Sequence, residues 1–385
     1  MSWSLAGRPL RRVLVTRLRY LGDVVMATVV ADLLRRGDPG LEVGFLCEAA
    51  YAPVLAGHPA VDRVHRLGVA RRGADAAART GAGAADGAAR GTVKMVRALR
   101  ASGYDLAVDL LCNPRSAWLL RLAGIPLRIG GTAGSRRHLY THIQPSARVE
   151  DPRHVLERWA PGGLGDHVCR LAPLVHAPSG HGFLDWLEAD GDGPVLPRLA
   201  APLPSPSAAA ALAAVGVPAG GPYIVAAPAA TWPAKEWPSE HWRRLLAAAA
   251  DRTGLPLVTL VPPGPGRRWA ALPGALPPLP LPAVLALLHG ARAVVSVDGG
   301  VMHAAVALGR PVLALFGPTD PAIWFPYERG TANRVLATRP ACHPCDRHAC
   351  PAHEFICLPQ LTPAAVEAAL VALLDRTAAG TGGAA

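Results

Sequence analysis

Three short stretches of the chain combine acids, bases and glycines in spacings that can do chemistry. The first is Asp298-Gly299-Gly300 with His303 just beyond it. The β-branched run Val294 to Val297 precedes the turn, and Val301 to Leu308 follows with helical spacing, closed by Gly309. The amides that open a helix have no intrahelical partners and carry the positive end of its dipole, so a strand–turn–helix of this kind attracts phosphate. Paired glycines remove the Cβ atoms that would hold a ligand off the backbone. His303, in the first turn, adds a donor. Asp298 can equally be a plain helix cap, a common use of aspartate. The pattern is not G-x-G-x-x-G, so the dinucleotide fingerprint is absent.

The second stretch runs from Thr231 to Pro238, TWPAKEWP. Lys235, on a loop after the strand Tyr223 to Ala227, can reach a diphosphate as a mobile point charge. A solvated surface lysine is the commoner case, but lysine is rare in this arginine-rich chain and this one stands between two Trp-Pro pairs. The third stretch opens the chain. Arg12 to Thr16 reads as a strand, Arg17 to Gly22 as a loop and Val24 to Leu34 as a helix, with Asp23 at the helix start. A helix N-terminus favours a carboxylate, so Asp23 is either a cap or a base held where ligands gather. Arg17 and Arg19 lie in that loop. Arg115 follows the strand Tyr104 to Leu111, at the end where such sheets bind ligands. With Arg136 and Arg137 it can form an anion site, or all three can line a solvated face.

Four cysteines cluster as Cys342-x2-Cys345-x4-Cys350-x6-Cys357, with His343, His348 and His353 among them. The spacing allows a structural zinc, although it is not that of the regular zinc fingers; reduced thiols in a compact loop are the other reading. Cys47, Cys112 and Cys169 stand alone and are expected to be buried or inert. An odd total argues against a disulfide framework.

These residues need elements to position them. Further strands are expected at Leu41 to Cys47, Val61 to Leu67, Leu255 to Val261 and Val312 to Phe316, and helices at Lys94 to Ala101, His154 to Trp159, His241 to Thr253, Pro282 to His289 and Pro363 to Leu374. Pro262 to Gly266 reads as a loop. Ala70 to Gly91 is an Ala/Gly/Arg-rich excursion of low complexity, read as variable and either partly helical or disordered. The Pro-rich stretch Leu196 to Ser207 reads as a linker. Strand and helix alternate in both halves, which predicts an α/β protein of two Rossmann-like domains, residues 1–200 and 201–385.

Composition bounds the function. The 385 residues are 51% hydrophobic, enough for two sizeable cores, and the net charge of +11 suits acidic substrates or an anionic surface. Basic residues are scattered without interleaved aromatics, so nucleic acid is not the expected partner. No stretch reads as a signal peptide, and no apolar run reaches the about 18 residues of a spanning helix. A cytoplasmic enzyme is expected, with peripheral membrane attachment open to it.

Asp298-Gly299-Gly300-Val301-Met302-His303-Ala304-Ala305 and Phe316-Gly317-Pro318-Thr319, with RLRYLGDVVMAT near the start and TWPAKEWP between them, resemble glycosyltransferase family 9, the lipopolysaccharide heptosyltransferases. The resemblance runs from Arg12 to about Leu374. It implies a GT-B architecture, two Rossmann-like domains facing each other across a cleft, the first on the acceptor side and the second binding the donor. It implies an inverting transfer of a sugar, heptose from ADP-heptose in that family, to a hydroxyl of a glycan or glycolipid. Asp23 then matches the proposed catalytic base. Thr231, Lys235, Asp298, Gly299, Gly300 and His303 match the donor site, and Arg17, Arg19, Arg115, Arg136 and Arg137 are candidates for the acceptor side. No cofactor is implied beyond the zinc that the cysteine spacing allows. The chain departs from the family at Gly299, where Thr or Ser is more usual, and at Arg267, where a Glu near the donor ribose is expected. A nucleotide-sugar binder without transferase activity would keep the second-half motifs and have no use for Asp23.

Overall fold

A computed structural model describes residues 3–68, 82–131, 134–144, 170–171, 196–325, 327–328, 331–350 and 356–381. The expected helix at His154, Cys169 and His353 lie outside these residues. The chain divides into two compact units, Met1–Gly193 and Pro194–Ala385.

In the first unit a short antiparallel hairpin, Ser4–Leu5 with Arg8–Pro9, precedes a parallel sheet. The strands are β1 (Arg12–Thr16), β2 (Glu42–Glu48), β3 (Arg63–Leu67), β4 (Leu106–Asp109), β5 (Leu127–Gly130) and β6 (His142–Ile143), in the order β3-β2-β1-β4-β5-β6. That is the Rossmann order, in which the strand sequence reverses between β1 and β4. Helix α1 (Leu21–Gly37) returns the chain from β1 to β2, α2 (Ala82–Ser102) precedes β4, and α3 (Pro114–Leu122) joins β4 to β5. The central strands are apolar on both faces, as a helix-covered parallel sheet requires: Val13, Leu14 and Val15 of β1 and Leu106, Ala107 and Val108 of β4 are all fully buried.

The second unit repeats the plan. Its strands are β7 (Ile224–Ala227), β8 (Leu257–Thr259), β9 (Ala293–Val297), β10 (Val312–Phe316) and β11 (Arg334–Ala337), all parallel in the order β8-β7-β9-β10-β11. Here the order reverses between β7 and β9. The helices are α4 (Pro206–Ala214), α5 (Ser239–Thr253), α6 (Leu281–Gly290), α7 (Gly300–Ala307), α8 (Pro321–Trp324) and α9 (Pro363–Thr381). Trp237 and Trp242 pack edge to face, ring centroids 5.2 Å apart, in a core completed by Val295, Leu313, Leu315, Leu370 and Leu373.

Several expectations need correction. Strands β5, β6 and β11 are short or half-buried and were not read from the sequence. The excursion agrees with its partly helical reading, since helix α2 begins at Ala82 inside it. Gly264 to Ala271 is a 3-10 helix rather than a loop. The Pro-rich stretch is only partly a linker. Leu199 N–H donates to Ala307 O at 2.9 Å, and Ser205 caps α4 by accepting from Ala208 N–H. Those residues belong to the second unit.

Candidate functional site

In sheets of this type, ligands bind at the carboxyl ends of the strands where the strand order reverses. The candidate residues can be placed against that rule, each unit by itself.

In the second unit the reversal lies between β7 and β9. The loop after β7 carries Thr231 and Lys235; the turn after β9 is Asp298-Gly299-Gly300. The two meet. Lys235 Nζ lies 2.6 Å from Asp298 Oδ2, with side-chain exposures of 11% and 4%. Asp298 is therefore not a helix cap. Helix α7 has Gly299 at its N-cap with no side-chain cap bond, and Asp298 Oδ2 instead accepts from Thr319 Oγ1 at 2.6 Å. Thr319, buried, comes from the loop after β10. The indole of Trp232 lies 4.3 Å from the Lys235 ammonium and that of Trp324, in α8, lies 5.8 Å away, so the cation sits between aromatic faces. Thr231 is exposed.

His303 lies in the first turns of α7 and is buried. Its Nδ1 is 3.0 Å from the Tyr327 hydroxyl, the rings edge to face. Tyr327 is fully buried, and burial raises its pKa well above the ordinary phenol value, which keeps it a neutral O–H. When that O–H donates to Nδ1, the imidazole carries its own proton on Nε2. Thr319, Trp324 and Tyr327 were missed as site residues. The signal for Thr319 was its place in Phe316-Gly317-Pro318-Thr319; for the two aromatics there was none, because side chains 24 and 27 residues beyond Gly300 return by tertiary folding.

A Cβ at Gly299 would come no closer than 3.7 Å to any atom, the Ala229 carbonyl oxygen. The protein itself does not require glycine there. What glycine leaves is room against the open amides of α7.

The cysteine loop is docked on this same region. His348 stacks on Trp232 at 3.9 Å, and His343 Nδ1 meets Gly317 O at 2.9 Å. Cys345 and Asp346 N–H donate to Pro318 O at 2.9 and 3.0 Å. Among the described residues no group of three or more His, Cys, Asp or Glu is placed to hold a metal ion. The zinc site that the spacing of Cys342, Cys345, Cys350 and Cys357 allows is thus not formed there. Cys342 is exposed, while burial raises the pKa of Cys357. The loop holds Trp232 and the Gly317-Pro318 turn through its backbone and histidines.

In the first unit the reversal lies between β1 and β4. Asp23 stands in the first turn of α1, after β1, where its Oδ2 accepts from Tyr20 N–H at 3.0 Å and its Oδ1 pairs with Arg17. Arg17 also donates to Leu110 O at 2.5 Å, just beyond β4, so one guanidinium spans the reversal point and orients the carboxylate. The other arginines do not converge on a free anion site by themselves. Arg115 donates to Gly68 O at 2.7 Å and lies 4.0 Å from Glu48, Arg136 donates to Cys112 O at 3.3 Å, and Arg19 lies over the Tyr20 ring at 5.6 Å. Arg137 is exposed. Asp109, at the end of β4, is buried; it accepts from Tyr140 OH at 2.8 Å and from the backbone of Leu111 and Cys112. Burial, with the Asp109 charge behind it, pushes the Cys112 thiol up to about 11, so it is inert.

Two Rossmann-like units, one presenting a cation and open helix amides and the other an oriented carboxylate, are the parts of a GT-B glycosyltransferase. Comparison with known proteins agrees. The pattern of "Glycosyltransferase family 9 (heptosyltransferase)" matches residues 195–356. Lipopolysaccharide heptosyltransferase 1 of Pseudomonas aeruginosa is 29% identical over 351 residues, 88% of this chain and 87% of that protein. Lipopolysaccharide heptosyltransferase 3 of Escherichia coli is 23% identical over 80% of this chain and 83% of its own length. Among solved structures, the E. coli ADP-heptose lps heptosyltransferase II superposes with a TM-score of 0.67 at 22% identity, covering 95% of this chain and 99% of that one. The E. coli heptosyltransferase bound to ADP-2-deoxy-2-fluoro heptose gives 0.58 at 25% identity, covering 94% and 99%. The family pattern thus covers much of the second unit, and the relatives resemble the chain along most of its length. The likeness is to glycosyltransferase enzymes.

Proposed function

We propose that the chain transfers a heptose from ADP-heptose to a hydroxyl of a glycan or glycolipid acceptor, with inversion at the anomeric carbon. The acceptor oxygen bonds to that carbon as its bond to the diphosphate breaks. Asp23 takes the hydroxyl proton, and ADP leaves with the bonding electron pair. Lys235, the Gly299-Gly300 amides, His303 and Thr231 stabilise the charge that grows on the leaving diphosphate. The observation that carries this reading is the Lys235–Asp298 pair, buried on the aspartate side, which fixes an ammonium beside the α7 N-terminus. The heptosyltransferases named above, one of them with an ADP-heptose analogue bound, support the choice of donor. Arg17 orients the base; of the other arginines, the exposed Arg137 is the candidate for an anionic acceptor. No helix among the described residues is long and apolar enough to cross a membrane. A cytoplasmic enzyme that works at the inner membrane surface suits a lipid-linked acceptor.

The test is transfer from ADP-heptose to a lipid A–core acceptor, followed by mass spectrometry and by NMR of the new anomeric bond. Other nucleotide sugars serve as controls. A preference for a different donor, or hydrolysis without transfer, would refute the assignment.

A further inference from the structure

Helix α3 buries Ser116, Ala117, Leu119 and Leu120 and turns Trp118 and Leu122 outward, 48% and 49% exposed. Residues four apart share a strip of helix surface, and that strip on a solvent face is ordinarily polar. Its surroundings are basic. Arg121 beside it is exposed, and Arg100 of α2 donates to Leu122 O at 2.7 Å, which brings the outer face of α2 alongside. There Val93, itself 49% exposed, recurs with Arg97 and Arg100 at helical spacing, and Lys94 is exposed next to them. His138 meets the Trp118 ring edge-on at 6.5 Å.

Residues 91–144 hold eight Lys or Arg and two Asp. Both acids are used elsewhere. Asp109 is buried in its own hydrogen bonds, and Asp105 accepts from the backbone N–H groups of Arg11 and Arg12. No carboxylate of this segment answers its cations. Arg121 and Arg128 crowd each other enough that Arg121, after burial, lowers the Arg128 pKa.

We propose that the outer face of α2 and α3, with Trp118, Leu122 and Val93 ringed by Lys94, Arg97, Arg100 and Arg121, docks on an anionic lipid bilayer. A Trp ring and a Leu seat at the boundary of headgroups and acyl chains. Guanidinium groups hold lipid phosphates with two parallel donors. A bilayer fits better than a protein partner, because the charge of the described side chains from residue 91 onward is of one sign around a small apolar centre. It fits better than nucleic acid, because Leu122 and Val93 are aliphatic and give bases nothing to stack on.

The inference is independent of the donor chemistry and is tested without it. The full chain is sedimented with vesicles of phosphatidylcholine alone or mixed equally with phosphatidylglycerol. Binding to the anionic vesicles and little to the neutral ones is expected, with release in high salt. R97E/R121E should lower the partition coefficient at least about 25-fold, since each basic residue near an anionic surface contributes roughly a fivefold factor. W118A/L122A should lower it about 10-fold and remove the part that survives salt. All four positions are exposed, so both variants should keep the circular dichroism spectrum and ADP affinity of the wild type. Equal binding to neutral vesicles, no binding to either, or unchanged partition of R97E/R121E would overturn the proposal. So would tight binding of a labelled RNA that the same variants lose while vesicles are ignored. ADP affinity and transfer to a delipidated acceptor, read on the same samples, report separately on the catalytic reading.

Discussion

Two turns of this chain are built alike and used differently. Each follows a central parallel strand at the point where its sheet reverses order, each opens a helix, and each carries an aspartate paired with a cation. Asp298 puts one oxygen against both Lys235 and Thr319, at 2.6 Å each, and is 4% exposed. Asp23 divides its oxygens between Arg17 and the Tyr20 N–H and is 17% exposed. A carboxylate oxygen can accept two hydrogen bonds. Each acid therefore spends two of its four lone pairs, and exposure separates them: Asp298 is buried as a clamp on an ammonium, while Asp23 keeps its free lone pairs nearer solvent. Local sequence makes a carboxylate at a helix start in both places; what surrounds it decides whether it clamps or reacts.

That contrast can be broken by exchanging each acid for its amide. Asp23→Asn keeps the shape and cannot take a proton, so transfer should fall roughly 10²–10⁴-fold, the usual worth of a positioned general base, with ADP affinity unchanged. Steady-state kinetics and calorimetry on one preparation measure both. Near-normal turnover would leave Asp23 only its capping contact with Tyr20 N–H and put the base elsewhere.

On the other turn, Lys235→Ala should weaken ADP binding by about 1.5–3 kcal/mol, the range of a hydrogen bond to a charged group. Asp298→Asn should weaken it less, because losing the clamp is offset by losing a negative charge beside the diphosphate. If calorimetry finds the two losses equal, Asp298 is more than a clamp.

Tyr327→Phe removes only the hydroxyl at His303 Nδ1. Transfer should drop about 5–10-fold, one neutral hydrogen bond's worth. The ¹⁵N spectrum of the His303 ring should change from one tautomer to a mixture. A single unchanged tautomer would show that the phenol does not set it. The smallest effect is expected at Gly299. Space exists there for a side chain, and serine is a good N-cap, so Gly299→Ser should stabilise the fold by a few tenths of a kcal/mol. Thermal unfolding would reveal a clash as a loss instead.

Much of this was legible in the chain. The apolar runs at Arg12 to Thr16 and Val312 to Phe316 coincide with β1 and β10, because a strand covered on both faces must be continuously apolar. Asp23, Lys235 and the Asp298 turn could be singled out because each stands beside such a strand. Edge strands β6 and β11 could not, being only half-buried and carrying no strong pattern.

The sequence by itself determined the alternation of strands and helices, the glycine turn and the three chemical stretches, since each rests on neighbours within a few residues. Only the tertiary structure decided which groups meet: Lys235 with Asp298 across 63 residues of chain, Tyr327 on His303, and the cysteine loop on Trp232 and Gly317. It also decided that Trp118 faces outward among arginines. The reason is physical. Periodicity reports which face of an element is buried, whereas the partner of a buried charge depends on strand order, and strand order is settled only when the whole sheet has closed its hydrogen bonds.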